Sequence, residues 1–399
     1  MENERIYFDN AATTNLGAEV LNAMMPVLTD TYGNSSSVHS FGRDASMLLD
    51  QSRETIAETI NAKFNEIYFT SSGSEANSWA IIGLANANRE KGNHIITTKI
   101  EHVSVLEACK YLENNGFEVT YLDVDHNGFV NFVELLRAIK ENTILISVIA
   151  ANNEIGTIQN LKAISHTAHE KDIIFHTDAV QLLGNMQIDV EDLGIDALTM
   201  SAHKIYGPKG VGALYVSNNV KIEPIIFGGN HERHKRAGTV NVAGIVGFAK
   251  AVEVAARDSK INNHKLRLLS EYFVTKLTES VQNIKFNAEV KQKLPHIISV
   301  CFIGVDGEAL LTKLDMQGIA VSTGSACSCG NFEISHVVKA LGFANDMAKC
   351  TVRFSLGKNN SYEEIDKAVA AITKAVEELR EYSSTYGMKI RKRKGDSNV

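Results

Sequence analysis

The stretch Ser201-Ala202-His203-Lys204-Ile205-Tyr206-Gly207-Pro208-Lys209-Gly210 sets one lysine between a serine, a histidine and a glycine-rich turn. An apolar, strand-like run ends near Met200, and another strand reads from Val211 to Val216. Lys204 therefore stands at a strand-to-strand turn, where its side chain can point inward. A lysine so placed suits a Schiff base with an aldehyde cofactor, because desolvation or a nearby cation lowers its pKa and frees the amine. The competing reading is a surface lysine in a Gly-Pro turn, and the rest of the chain decides between the two.

Other polar residues gather at similar places. The strand Ile67-Tyr68-Phe69-Thr70 opens into Ser71-Ser72-Gly73-Ser74-Glu75-Ala76-Asn77, and a helix follows through Ala87. Strand, small polar loop and helix start present free backbone N–H groups to an anion, a phosphate seat, or else form an ordinary capped helix. His102 lies just past the strand 94–98, at what would be the rim of a site. A strand over 144–151 ends in Asn152-Asn153-Glu154, and one over 173–181 carries Asp178 and Gln181 at its carboxyl end. Near-continuous apolar strands separated by helices imply a largely parallel sheet covered on both faces. Sites in such sheets lie outside the carboxyl ends of the strands, where Asn153, Asp178, Gln181 and Lys204 all fall.

These residues need a scaffold, and the chain supplies one. Helices read over 18–31 and 44–60, and a loop dense in His, Arg and Gly runs from Pro224 to Gly244. One long helical pattern, or two joined, covers 244–277. Beyond about Glu279 the texture changes to short strands with amphipathic helices, and the last helix reads over 362–382. The expected division is a large domain over 16–260 and a smaller α+β domain from 1–15 and 261–386. A basic tail, 387–399, is read as solvated. The 399 residues suffice for two cores, and a net charge of -7 with 44% hydrophobic residues excludes a general nucleic-acid footprint. No apolar run is long enough to span a bilayer, no leader is visible, and five cysteines read as thiols of a reducing, cytoplasmic compartment rather than a disulfide framework. Asp123, Asp125, Asn127, Gly128 and Glu134 match a calcium-loop spacing, but a strand pattern precedes them where that motif needs a helix, so no metal is expected.

The order and spacing of several short motifs carry a family resemblance. Asp9-Asn10-Ala11-Ala12-Thr13-Thr14, Asn153-Glu154-Ile155-Gly156-Thr157, Asp178-Ala179-Val180-Gln181, Ser201-Ala202-His203-Lys204, Arg236-Ala237-Gly238-Thr239, Gly324-Ser325-Ala326-Cys327 and Arg353-Phe354-Ser355-Leu356-Gly357 resemble those of the NifS/IscS-like cysteine desulfurases. The resemblance runs from Ile6 to about Glu381. It implies an α/β fold of the fold-type I class that uses pyridoxal 5'-phosphate (PLP), with a mostly parallel seven-stranded sheet and a smaller α+β domain. It also implies removal of sulfur from L-cysteine, leaving alanine and a persulfide on the enzyme. Lys204 matches the lysine that holds PLP, Asp178 the acid on the pyridine nitrogen, Gln181 the donor to the phenolate oxygen, and His102 the ring-stacking histidine and a proton shuttle. Gly73, Ser74, Ser201 and His203 match phosphate contacts, with Thr239 reaching in from the partner of a homodimer. Asn153, Arg353 and, less closely, Asn34 match the clamp on the substrate carboxylate.

Cys327 matches the nucleophile, and the length of its loop up to Gly342 matches the long-loop class. The chain departs from the pattern at Cys329, a second thiol two residues on, and at Ile334, which stands where a proline is usual. Cys329 reads either as a sulfur relay or as a passive small residue. Cys109, Cys301 and Cys350 read as buried structural thiols. Two other readings remain: a selenocysteine lyase or aminotransferase on the same fold, and a non-enzymatic metal protein. The sulfur acceptor, an iron–sulfur scaffold or a tRNA-thiolation enzyme, is not named by the sequence.

Overall fold

The computed structural model describes residues 5–324 and 334–381. Two strands near the start of the chain are β1 (Ile6–Tyr7) and β2 (Ile67–Thr70). They are followed by β3 (His94–Thr98), β4 (Glu118–Leu122), β5 (Thr143–Ser147), β6 (Ile174–Asp178), β7 (Ala197–Ser201) and β8 (Gly212–Val216). The last are β9 (Ile284–Phe286), β10 (Ile297–Phe302), β11 (Ile319–Ala320) and β12 (Thr351–Ser355).

Seven of these form one sheet in the order β2-β8-β7-β6-β5-β3-β4. All its neighbours pair in parallel except β8, which runs antiparallel to both β2 and β7. Every residue of β3, β5, β7 and β8 is buried, as expected of strands covered on both faces. One face is covered by α1 (Gly73–Ala87) and α2 (Val103–Glu113), whose Trp79, Ile81, Leu84, Val105 and Leu112 pack against Ile95, Leu145 and Leu214. The other face packs Ile56, Phe175, Leu198 and Phe248.

A second, smaller sheet has the order β12-β10-β9, antiparallel throughout. Phe302, Leu310, Phe354, Ile365 and Ile372 form its core. The two cores are spanned by α3 (Val242–Ser280), a single helix of 39 residues. Its first half contributes Ile245, Phe248 and Val252 to the large core. Its second half contributes Leu266, Leu269, Phe273 and Leu277 to the small one. The final helix α4 (Tyr362–Glu381) closes the small core with Ile365, Val369, Ile372 and Val376.

The differences from the sequence reading have local causes. The helix read over 44–60 begins at Ser40, because His39 caps it and accepts from Gly42 N–H at 3.3 Å. The strand read through 151 ends at Ser147; beyond it Val148 and Ala150 N–H still donate to His176 and Asp178 O of β6, while Ile149 N–H turns to Glu101 Oε1 and Ala151 bridges Ile158. Inside the Pro224–Gly244 loop, Glu232, Arg233 and His234 all take positive φ, a left-handed turn that composition does not reveal. The calcium-like stretch is a turn in which Asp125 accepts from the N–H groups of Asn127 and Phe129 at 2.8 and 2.9 Å. Cys109 and Cys301 are buried, whereas Cys350 is only half-buried. No helix among the described residues is long and apolar enough to cross a membrane.

Candidate active site

The carboxyl ends of β6 and β7, the start of α1 and the N-terminal segment converge on one cavity of about 300 Å³. Its lining includes Gly73, Ser74, His102, Asn153, Asp178, Gln181, Ser201, His203, Lys204 and Arg353. Ten of the twelve residues singled out for cofactor, substrate or proton chemistry outside the loop 325–333 are thus brought together. Thr239 and Asn34 are not among the lining residues. Thr239 is exposed, and Asn34 caps its own loop, accepting from Ser36 N–H at 2.9 Å. Cys327 and Cys329 lie outside the described residues.

Lys204 ends a one-turn 3-10 helix, Ala202–Lys204, directly after β7. Its Nζ donates to the carbonyls of Ala11 and Ala12, each at 2.6 Å. The turn is held from outside by Thr14, whose N–H and Oγ1 both donate to His203 O at 2.9 Å. Gln181 Nε2 donates to Ala11 O at 2.9 Å, so the N-terminal segment ties the lysine and the glutamine into one wall. His203 Nδ1 lies 3.1 Å from Thr13 Oγ1. Burial, then the Lys204 and Lys209 charges, push the His203 pKa down to about 4, so this ring is neutral at physiological pH.

Asp178, the last residue of β6, is 4% exposed. Its Oδ1 accepts from Val180 N–H at 2.9 Å and its Oδ2 from Asn77 Nδ2 at 2.7 Å. These two donors fix the orientation of the carboxyl group at the cavity wall. His102 caps α2, and burial lowers its pKa, with Lys204 and His336 adding to the shift and Asp178 opposing it.

At the other end of the cavity, Ser72 caps α1 and accepts from Glu75 N–H at 3.1 Å. Gly73 is the first helical residue, and a Cβ there would lie 2.9 Å from Val180 Cγ2 and 3.4 Å from Ser201 Cβ. The close contact is with Val180, just past β6, so a side chain at this helix start would have to displace it. Among the described residues, Ser201 Oγ is buried without a hydrogen-bond partner. A buried hydroxyl left open beside a helix N-terminus fits an anion that accepts from both. Glu75 is itself bound by Arg236, Nε to Oε1 at 2.8 Å and Nη2 to Oε2 at 3.0 Å.

Arg353, in the middle of β12, reaches across from the small sheet. Nη1 donates to Asn153 O at 2.9 Å and Nη2 to Asp9 Oδ1 at 2.8 Å, while the buried Nε has no partner among the described residues. Sequence reasoning passed over three residues beside these. Asn77 is 1% exposed and bridges Asp178 to Ser104. Glu101 is fully buried, with Thr98 Oγ1 and Ile149 N–H donating to Oε1, and burial raises its pKa to about 8. Glu154, also fully buried, accepts from Ser335 Oγ at 2.5 Å, and a Cβ on Gly324 would fall 1.8 Å from its Oε2. The one available signal was a polar residue on the inward face of an apolar helix, which applies to Asn77 alone.

Residues 6–368 match the family Aminotransferase class-V. The chain is 47% identical over 383 residues to cysteine desulfurase IscS of Clostridium botulinum strain Hall, covering 96% of each chain. Among solved structures it resembles a NifS-like protein with a TM-score of 0.89 at 36% identity, covering 94% of this chain and all of that one. It also resembles SspA in complex with cysteine, with a TM-score of 0.80 at 37% identity over 89% of this chain and all of that one. The chain belongs to the class-V aminotransferase family and, within it, to the NifS/IscS-like cysteine desulfurases.

Proposed function

We infer that the cavity takes PLP on Lys204 and L-cysteine on Arg353, and that the chain is a cysteine desulfurase. The carbon–sulfur bond of the substrate breaks, a sulfur–sulfur bond forms on an enzyme thiol, and L-alanine leaves. The observation that carries the reading is the convergence of Lys204, Asp178, His102 and Arg353 on one cavity in which Ser201 Oγ and Arg353 Nε stand buried without partners.

PLP, when bound, supplies an aldehyde for the lysine and a ring that draws electrons from the substrate's α-carbon. The residues present fit it. Lys204 holds the group and moves the proton at the substrate carbon. The Asp178 carboxylate would keep a ring nitrogen of the bound cofactor protonated, and Gln181 would donate to its phenolate oxygen. Gly73, Ser74, Ser201 and His203 receive the phosphate. Arg353, oriented by Asp9 and Asn153, offers its guanidinium to the substrate carboxylate. Cys327 is the nucleophile in this reading, and Cys329 a relay by thiol exchange. Asn34 remains the weaker candidate for the carboxylate clamp.

The wider proposals follow the same lines. The chain divides into domains 16–260 and 1–15 with 261–386, followed by the basic tail 387–399. A homodimer, with Thr239 completing the partner's phosphate site, is supported by exposed apolar side chains on one face of the helix Ala18–Thr29. Leu21, Met25 and Leu28 are 44%, 47% and 58% exposed. The reduced thiols suit a cytoplasmic enzyme that hands sulfur to an iron–sulfur scaffold or a tRNA-thiolation enzyme. The test is the stoichiometry of products. The PLP-loaded protein should release alanine from L-cysteine with sulfur on Cys327, and Cys327→Ser should retain PLP but lose sulfur transfer. Alanine aminotransfer without any protein persulfide would support the aminotransferase alternative instead.

A further inference from the structure

A chain of hydrogen bonds joins Asp178 to His102. Asn77 Nδ2 donates to Asp178 Oδ2 at 2.7 Å and to Ser104 Oγ at 3.0 Å. Ser104 Oγ lies 2.8 Å from His102 Nδ1, and Ser104 N–H donates to the same nitrogen at 3.2 Å. Asn77 Oδ1 is buried without a partner, and Asn77 lines the cavity. His102 Nε2 makes no hydrogen bond among the described residues.

Each link has a direction. A carboxylate accepts and never donates, so it fixes the Asn77 amide with its nitrogen toward Asp178. That nitrogen has two protons, and the second goes to Ser104 Oγ. The hydroxyl, already accepting, has its own proton free for His102 Nδ1. The backbone N–H of Ser104 can only donate, and it meets the same atom. A ring nitrogen facing two donors must carry a lone pair. The neutral ring therefore has its hydrogen on Nε2.

We propose that Asn77 and Ser104 are positioning residues that fix His102 as the Nε2–H tautomer, so that His102 meets the cavity's contents as a hydrogen-bond donor rather than as a base. The inference rests on the proposed desulfurase reading for its consequence: proton transfer at the substrate carbon falls to Lys204 alone. A neutral imidazole held this way stabilises developing negative charge without accepting a proton. The groups that face His102 are Asp178, Lys204 and His336, and burial also disfavours its charged form.

The experiment is 15N NMR of the PLP-loaded protein with labelled histidines, His102 being assigned by difference from His102→Gln. At neutral pH, His102 should show an unprotonated Nδ1 and an Nε2 bearing the only proton. Ser104→Ala removes one of the two donors to Nδ1 but keeps the backbone one. It should raise the His102 pKa by about half to one unit and lower kcat about fivefold with KM for L-cysteine unchanged. Ser104→Thr, which keeps a hydroxyl, should restore both. A proton on Nδ1 in the unsubstituted protein overturns the proposal. So does a Ser104→Ala protein with the wild-type nitrogen shifts and pKa. If the protein takes no PLP, the desulfurase reading fails, while the same spectra of the PLP-free protein still decide the tautomer. If it takes PLP and desulfurates cysteine with Nδ1 protonated, only the present inference fails.

Discussion

At the β2 edge of the large sheet, Arg53 and Glu232 form a buried pair, Nη2 to Oε1 at 2.7 Å and Nη1 to Oε2 at 2.8 Å. Arg53 Nη1 also donates to Ile67 O, and Phe69 N–H donates to Glu232 Oε2. Neither side chain leaves a buried polar atom without a partner. At the carboxyl ends of β6 and β7, polar groups are as deeply buried but incompletely matched. Ser201 Oγ, Asn77 Oδ1 and Arg353 Nε have no partner among the described residues. Both regions spend desolvation energy on polar atoms. In the first, that cost is met within the protein at the Arg53–Glu232 pair. Arg233 Nε and His231 Nδ1 of the adjoining left-handed turn have no partner among the described residues, but neither residue lines the site cavity. In the second it is left partly unmet, where the proposed cofactor and substrate would complete it. An unmatched buried atom lining a cavity, rather than buried polarity itself, separates a binding site from a structural cluster.

Five substitutions put this contrast at risk. The largest effect on turnover belongs to Lys204→Ala, which should lower alanine formation about 10³-fold or more. Arg53→Met should act on the fold instead, because it leaves the Glu232 carboxylate buried and unpaired. Thermal or denaturant unfolding should register a loss of about 3–5 kcal/mol, and the double change Arg53→Met with Glu232→Leu should recover much of it. Equal stability of the single and double variants would mean that the pair is not the closed structural unit described above.

Ser201→Ala should do the reverse. Its hydroxyl has no partner to lose, so unfolding of the PLP-free protein should change by less than about 0.5 kcal/mol. PLP affinity, titrated by absorbance, should weaken about 10- to 100-fold, the worth of a hydrogen bond to a charged group. A further effect concerns pH. Glu101 has its pKa raised by burial to about 8, above the value near 4.5 of the unfolded chain. Between these values the folded state holds a proton that the unfolded state has lost. The stabilisation present below the unfolded value is therefore lost as pH rises, by up to about 1.4 kcal/mol per pH unit. Glu101→Gln should flatten the fall in stability between pH 5 and pH 8, measured by denaturant unfolding.

Much of this site was legible in the chain because strand ends mark it. β2, β10 and β12 fall where their apolar runs predict, and Asp178, Lys204 and Arg353 sit at or on such strands. What escaped depends on contacts distant in sequence. Asn77 meets Asp178 across 101 positions, and Arg53 meets Glu232 across 179. Glu101 and Glu154 read as ordinary charges until their burial is known. β9 is three residues long and half-buried, too short for any period to show. The left-handed turn at Glu232 is set by the Arg53 pair and not by glycine or asparagine, so no local residue type announces it.

The central claim is that the cavity at the end of β7 is a PLP site held by Lys204. Borohydride reduces a lysine–PLP linkage to a stable secondary amine, and peptide mapping by mass spectrometry then reports which lysine carried the group. The mass increment of reduced PLP should appear on the peptide containing Lys204, and vanish in Lys204→Ala. A label on any other lysine, or no label in protein reconstituted with excess PLP, would contradict the account.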